Sequence, residues 1–389
     1  MRDVERVERL QEGMRAAGLD ALACTLPENV LLLSGYFPVV GASLALATRD
    51  GEVTLVVPED EKELAECGGA NRVLTFEPAS LERITDAVEA ARRALEAIPL
   101  NGYVVGFECG ASFEPASYAS MQLYGCAVPD LFPGATLRPA SELLSRMKAL
   151  LTPIESDRVR RACRIAEIAF ERGAEMLCVG LKETEAAEQF RVPLVTVGTG
   201  FEGVSRAEGY VFCMSGAHSG KAYGAYARSR SREIAFTDFV LTHCNSHADG
   251  YWTDITRTYA MGPASTRQEE MYAAILEARQ AALDAIRPGA PAAGVDHAAR
   301  KVLRARGFGD QFKHATGHGV GFSAISHNAR PRIHPKSDEQ LEAGMVFNVE
   351  PAIYFEGWGG ARHCDVVEVT QTGVEVLTPF QNRMEDLIR

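Results

Sequence analysis

Residues 241–258, LTHCNSHADGYWTDITRT, restrict the fold more than any other stretch of the chain. Two strand-like runs, Phe239–Cys244 and Tyr251–Tyr259, flank Asp249-Gly250, a pair that tolerates the positive φ of a tight turn. A hairpin is predicted. Period-two alternation sets Trp252, Asp254, Thr256 and Thr258 on one face of its second strand. Pairing brings His243 towards Asp254 across the ladder, so a polar patch is expected on one side of a sheet. Cys244 alternates away from His243 and is read as packing, and His247 as a turn residue.

At 389 residues the chain exceeds one ordinary core, and two domains are expected, 1–148 and 149–389. Its 46% apolar and 24% charged residues are those of a soluble globular protein. No run of eighteen apolar residues occurs, and the N-terminus, MRDVERVERLQEGMRAAG, is charged and amphipathic. Neither a membrane span nor a secretory signal is expected, and no membrane partner. A net charge of −12 argues against a nucleic-acid partner, which favours a basic face. Nine cysteines without CxxC spacing predict free thiols in a reducing cytoplasm.

The first part alternates strands with helices, as a small α/β layer domain does. A helix carrying Val7, Leu10 and Met14 on one stripe opens it. A strand at Asp20–Thr25, a Pro-Glu-Asn turn and a hairpin of Ser43–Thr48 with Glu52–Val57 follow, then a helix over Ser80–Ile98 and a strand at Tyr103–Glu108. Leu144–Ile154, ending in Thr152-Pro153, reads as the entry to the second domain. There a helix is predicted from Ile154 to about Met176, with Val159, Ala162, Ala166 and Phe170 facing inward. Further helices are predicted at Glu183–Arg191, Gln268–Ile286 and Ala293–Arg306, the last with His297 in solvent. Gly344–Tyr354 and Arg362–Thr378 read as strands.

Five residues able to bind a metal fall in this second part: His243, Asp254, His318, Glu350 and Cys364. Alternation groups Val346 and Asn348 with Glu350, and Arg362 and Val366 with Cys364. A carboxylate at the end of an apolar strand needs a partner or a metal, because an isolated buried charge is costly. His318 lies in GHGVG, whose glycines permit close backbone approach.

The blocks GYWTDITRT, HATGHGVG, GMVFNVEPAIY and GGARHCDVVEVT resemble, in order, those of the pita-bread hydrolases: methionine aminopeptidase, prolidase, aminopeptidase P and creatinase. GLDALACTLPENVLLLSGY and the linker RMKALLTPIE are similar to the family's N-terminal domain and to its entry to the catalytic domain. The resemblance implies an α/β (α+β) fold, a creatinase-like domain followed by a pita-bread domain. It also implies a homodimer and hydrolysis next to a C–N bond. Metal-using members read Asp, Asp, His, Glu, Glu where this chain has His243, Asp254, His318, Glu350 and Cys364. Tyr226 stands where the Xaa-Pro peptidases and creatinase have an active-site histidine, and Asn328, after His327, where a glutamate is common.

Creatinase, which uses no metal, has largely lost its ligand types; this chain keeps one at every position. Asp254, Glu350 and a Cys364 thiolate supply three negative charges at most, which suits one divalent ion better than two. Imidazole and thiolate favour zinc or iron over manganese. The expected activity is hydrolysis of an amide-type C–N bond in a small molecule or short peptide, Xaa-Pro peptidase-like but poor on Xaa-Pro dipeptides. His327, Glu350 and Tyr226 are the expected catalytic residues, and Arg362 or Arg330 is placed on a substrate carboxylate. The apolar segment Gly35–Ala42 is expected at a dimer contact, with Phe37 near the partner's cavity. Three alternatives stay open: a metal-free amidinohydrolase or amidohydrolase of the creatinase or ectoine-hydrolase kind, a lyase, and a non-catalytic binding protein.

Overall fold

A computed structural model describes residues 2–39, 43–77, 81, 92–93, 95–96, 98, 100–108, 131–132, 134–224, 228–323 and 329–389. The chain divides into two compact units, Met1–Lys148 and Ala149–Arg389.

In the first unit, α1 (Val4–Ala17) starts where Asp3 accepts from the Arg6 N–H and ends at Gly18, whose φ of 64° suits a residue without Cβ. Leu10 and Met14 are buried and Val7 is half-buried. The unit holds one six-stranded sheet built from β1 (Ala21–Cys24), β2 (Leu44–Thr48), β3 (Val53–Pro58), β4 (Arg72–Phe76), β5 (Val104–Phe107) and β6 (Thr136–Pro139), in the order β4-β3-β2-β1-β5-β6. The Pro27-Glu28-Asn29 turn expected after β1 is instead the first turn of a helix, α2 (Pro27–Ser34). Pro27 is tolerated there because the first helical N–H has no intrahelical acceptor, and the run Val30–Leu33 is buried. Most of the helix predicted over Ser80–Ile98 lies outside the described residues.

The second unit opens with α3 (Pro153–Met176), closed at its start by a reciprocal Thr152–Glu155 capping box. Val159, Ala162, Ala166 and Phe170 are all buried. The predicted second helix is longer than expected: α4 runs Glu183–Gly198, past Arg191 and with Pro193 inside it. A three-stranded antiparallel sheet follows, β7 (Ala207–Ser215), β8 (Phe239–Ala248) and β9 (Tyr251–Ala260), in that order. Phe170 of α3 and Phe190 of α4 meet edge to face, and Phe190 meets Tyr259 of β9. The two helices therefore cover the Tyr259 face of this sheet and leave the Asp254 face to the site. Beyond it come α5 (Thr266–Asp284) and α6 (Ala292–Ala305), with His297 of α6 exposed as expected.

Two further sequence expectations need correction. His247 is not in the turn; it lies inside β8, buried, with its ring 4.5 Å from that of Trp252 directly across the ladder. The turn is shorter than assumed, because Asp249 itself takes a positive φ of 48° before Gly250. The two long C-terminal strands are also broken. β10 (Val346–Val349) pairs with β13 (Asp365–Val369), whereas β11 (Ala352–Phe355) pairs with β12 (Gly359–Arg362). Pro351 has no N–H to continue a ladder, so the chain changes partner there. Glu350 and Cys364 thus sit at junctions between ribbons, not inside strands.

Candidate metal centre

The β8–β9 register opposes His243 to Thr256, Asn245 to Asp254 and His247 to Trp252. Directly opposed residues project to the same side of an antiparallel pair, so all six share one face. His243 Nδ1 lies 3.1 Å from Thr256 Oγ1 and 3.6 Å from Asp254 Oδ1. Burial pulls the His243 pKa down to about 4; Asp254 and the nearby Asn245 amide oppose this without outweighing it. The ring is neutral at neutral pH.

His318 is carried by a segment laid beside β10: Asn348 N donates to His318 O, Val320 N to Val346 O and Glu350 N to Thr316 O. Only glycine fits on either side of it. A Cβ on Gly317 would fall 1.8 Å from Asn348 O, and one on Gly319 1.9 Å from Arg330 O. The side chain, expected in a loop, is 4% exposed. Its Nδ1–H donates to Gly319 O at 3.1 Å, which leaves a lone pair on Nε2. Nε2 accepts from the Asn348 amide at 3.3 Å and faces Asp254 Oδ2 at 3.6 Å.

Glu350 and Cys364 complete the cluster. One ligand atom from each of Asp254, Glu350 and Cys364 can be chosen so that all lie within 4.8 Å of one another. Cys364 is held by a two-way backbone bridge to Thr256, and its thiol donates to Asp254 O at 3.1 Å. Burial raises the Glu350 pKa to about 8, with Asp254 adding to the rise and Arg362 opposing it. Burial also pushes the Cys364 thiol well above its usual range, reinforced by Asp254 and Glu350.

Arg362 is the fixed cation of the site. Its Nε donates to Thr256 Oγ1 at 3.0 Å, and its Nη1 lies 3.5 Å from Tyr354 Oη and 3.7 Å from Glu350 Oε2. Burial works against its charge, but Tyr354, Glu350 and Asp254 outweigh that and hold its pKa raised. The Tyr354 hydroxyl also meets His314 Nε2 at 3.0 Å, and His314 Nδ1 lies 3.9 Å from Glu350 Oε1.

Behind the cluster, Arg257 donates to Thr256 O, Cys364 O, Thr378 O and Phe380 O, and to Asp365 Oδ1 at 2.8 Å. Arg279 reaches Asp365 Oδ2 at 2.5 Å, and His363 Nε2 lies 3.3 Å from the same atom. Burial would raise the Asp365 pKa, but Arg257, His363 and Arg279 together hold it well below the usual carboxylate range. This anchors the backbone on both sides of Cys364.

The donor set fits a divalent cation. Asp254 Oδ2 stands 3.6 Å from His318 Nε2, and Asp254, Glu350 and Cys364 gather two carboxyl groups and a thiol in a buried pocket, a crowding that a positive charge among them would relieve. Three potential anions and one buried guanidinium leave two negative charges, the complement of one divalent ion.

Of the other predicted residues, Arg330 lies 3.7 Å from Glu339 Oε1 and is half-buried. Phe37 belongs to the first unit and is also half-buried. Tyr226, His327 and Asn328 lie outside the described residues. Sequence reasoning passed over His314, Tyr354 and Asn245. Each had a signal: His314 precedes His318 by four residues in HATGH, Tyr354 ends the block NVEPAIY, and Asn245 shares the alternation of His243.

The model of metallopeptidase family M24 matches residues 157–371, and that of the creatinase/prolidase N-terminal domain matches residues 6–150. The sequence is 27% identical over 381 residues to the Xaa-Pro dipeptidase of Pyrococcus furiosus, covering 98% of this chain and 99% of that protein. The crystal structure of the prolidase from Pyrococcus horikoshii is similar with a TM-score of 0.77 at 26% identity, over 98% of this chain and 99% of that one. The Xaa-Pro dipeptidase from Bacillus anthracis is similar with a TM-score of 0.78 at 25% identity, over 99% of each chain.

Proposed function

The chain belongs to metallopeptidase family M24, and on that premise we propose that it hydrolyses short peptides with a single divalent ion, zinc or iron, held by Asp254, His318, Glu350, Cys364 and His243. The family membership makes it a hydrolase of C–N bonds and implies divalent metal use. The observation that carries the finer reading is the clustering of carboxylate, carboxylate and thiol within 4.8 Å, with an imidazole 3.6 Å from Asp254 on either side. A divalent ion there supplies a Lewis acid that polarises a carbonyl and acidifies water.

The chain's own groups supply the rest. Glu350, with a pKa near 8 in the metal-free site, keeps its proton at neutral pH and would give it up to bind the ion. Arg362, oriented by Thr256 and Tyr354, offers a fixed positive charge to a substrate carboxylate or to developing negative charge. His314 and Tyr354 extend a hydrogen-bonded path from that edge, and His327 is assigned to proton transfer. Relatives named Xaa-Pro dipeptidases make Xaa-Pro dipeptides the first substrates to try. Tyr226 and Asn328 make them slow substrates here, because a phenol of pKa about 10 does not shuttle protons at neutral pH as imidazole does.

Elemental analysis of protein purified without chelator tests the reading, together with a dipeptide panel before and after chelation. About one equivalent of zinc or iron per chain is expected, on the charge and donor argument, with loss of turnover on its removal. Two equivalents, or full turnover after exhaustive chelation, refutes it. The dimer, with Phe37 near the partner's cavity, is a separate proposal. Sizing at low concentration that shows a fully active monomer removes it.

A further inference from the structure

Asn245 is fully buried, and neither its amide oxygen nor its amide nitrogen has a hydrogen-bond partner among the described residues. Buried polar side chains are rarely left so, because an unpaired amide loses its water without replacement. Asn245 opposes Asp254 directly, on the face that also carries His243. Its amide oxygen side faces the His243 ring closely enough to favour the ring's cationic form, without the alignment of a full hydrogen bond. An amide there only to fill space would sit better as leucine, which has nearly the same shape and no polar atoms to leave unpaired.

We infer that Asn245 is a further donor to the ion, its amide oxygen acting as an uncharged ligand beside Asp254 and His243. The inference rests on the single-ion reading of the site. Chemically the residue suits that reading. A carbonyl oxygen adds a hard donor without adding charge, so the two-fold negative balance left by Asp254, Glu350, Cys364 and Arg362 is kept. An aspartate at the same place would bring a fourth anion and favour tighter binding.

Titration of the chelator-stripped protein with zinc, in competition with a chromophoric chelator, tests this in three forms: wild type, Asn245→Leu and Asn245→Asp. Asn245→Leu is expected to weaken zinc by about tenfold or more, the scale of losing one group that supports a metal. It is also expected to raise the Tm of the metal-free protein, because the unpaired amide is gone. Asn245→Asp is expected to tighten zinc by at least a similar factor and to lower the metal-free Tm. Opposite movement of affinity and metal-free stability is a signature that a purely structural asparagine does not produce. If Asn245→Leu binds zinc like wild type, or lowers the metal-free Tm, the assignment is wrong. Should Asn245→Leu not fold, Asn245→Asp decides alone, and unchanged affinity overturns the assignment. Failure of wild type to bind zinc or ferrous iron at all overturns instead the single-ion reading on which this depends.

Discussion

Two of the proposed ligands must lose a proton before an ion can bind, and this sets how affinity varies with pH. Glu350 keeps its proton up to about pH 8, and the Cys364 thiol to well above its usual value. His243, with a pKa near 4, is already free. Zinc binding between pH 6.5 and 7.5 therefore releases two protons, one from each ligand. Each proton contributes about 1.36 kcal/mol per pH unit. Affinity should thus rise about 100-fold per unit, or roughly 2.7 kcal/mol. Above pH 8 Glu350 is ionised unaided, one proton remains, and the slope should fall to about tenfold per unit. Competition titrations with a chelator of known protonation, at half-unit steps from pH 6.5 to 9, measure this. Calorimetry in buffers of different ionisation enthalpy counts the protons directly. Glu350→Gln should show a slope of one throughout, and Cys364→Ser should lose the residual slope above pH 8. A wild-type slope near zero from pH 6.5 to 7.5 would refute the reasoning, because the ion would then be held by groups that carry no proton to displace.

Asp365→Asn leaves Arg257 and Arg279 without their shared buried anion; urea unfolding should show a loss of about 3–5 kcal/mol, the usual scale for breaking a buried pair. The metal-free protein should be most stable near pH 6.5. Below it, His243, His247 and His363, all depressed to about 4, stay neutral while the unfolded chain gains protons, so Tm falls as pH drops towards 4. Above it, Glu350 retains a proton the unfolded chain has released, so Tm falls as pH rises to 8, and Glu350→Gln should flatten that limb. The double variant His243→Asp with Cys364→Glu adds carboxylates and should take up two manganese ions per chain, read by elemental analysis; uptake of at most one counts against the charge argument.

The hairpin, the long α3 and the inward stripe of Val159, Ala162, Ala166 and Phe170 were legible because each is a local periodicity backed by turn or cap chemistry. So was the shared face of His243 and Asp254, which follows from counting by two along strands of known sense. What could not be read is where a ladder changes partner. Arg362 and Cys364 were placed on one strand, yet Arg362 pairs with Ala352 and Asp365 with Val349 in different sheets. Long-range pairing decides this, and no local signal beyond Pro351 announces it. For the same reason, nothing local showed that Arg362 and His314 both approach Glu350 with Tyr354 bridging the two. Asn245 was legible by alternation but overlooked, since a strand asparagine draws no attention until its partners are counted.

The change of partner at Glu350-Pro351 and again at His363-Cys364 has a consequence for how the site behaves in time. The β7–β8–β9 sheet, the sheet of β10, β13 and β14 (Val374–Val376), and the β11–β12 ribbon are each satisfied internally. Near the donors their backbones meet at single bridges, Cys364 and Thr256 exchanging both bonds and His363 N donating to Pro351 O, with the Arg257, Thr258 and Arg362 side chains adding bonds across the same seam. Those amides can exchange with solvent by small separations of one ribbon from the next, with no sheet unzipping. An ion bound to Asp254, Glu350 and Cys364 would stitch those ribbons together. Its loss would quicken exchange at the seams and leave the strands protected, so the empty protein would keep its fold while its ligands drift out of register with one another.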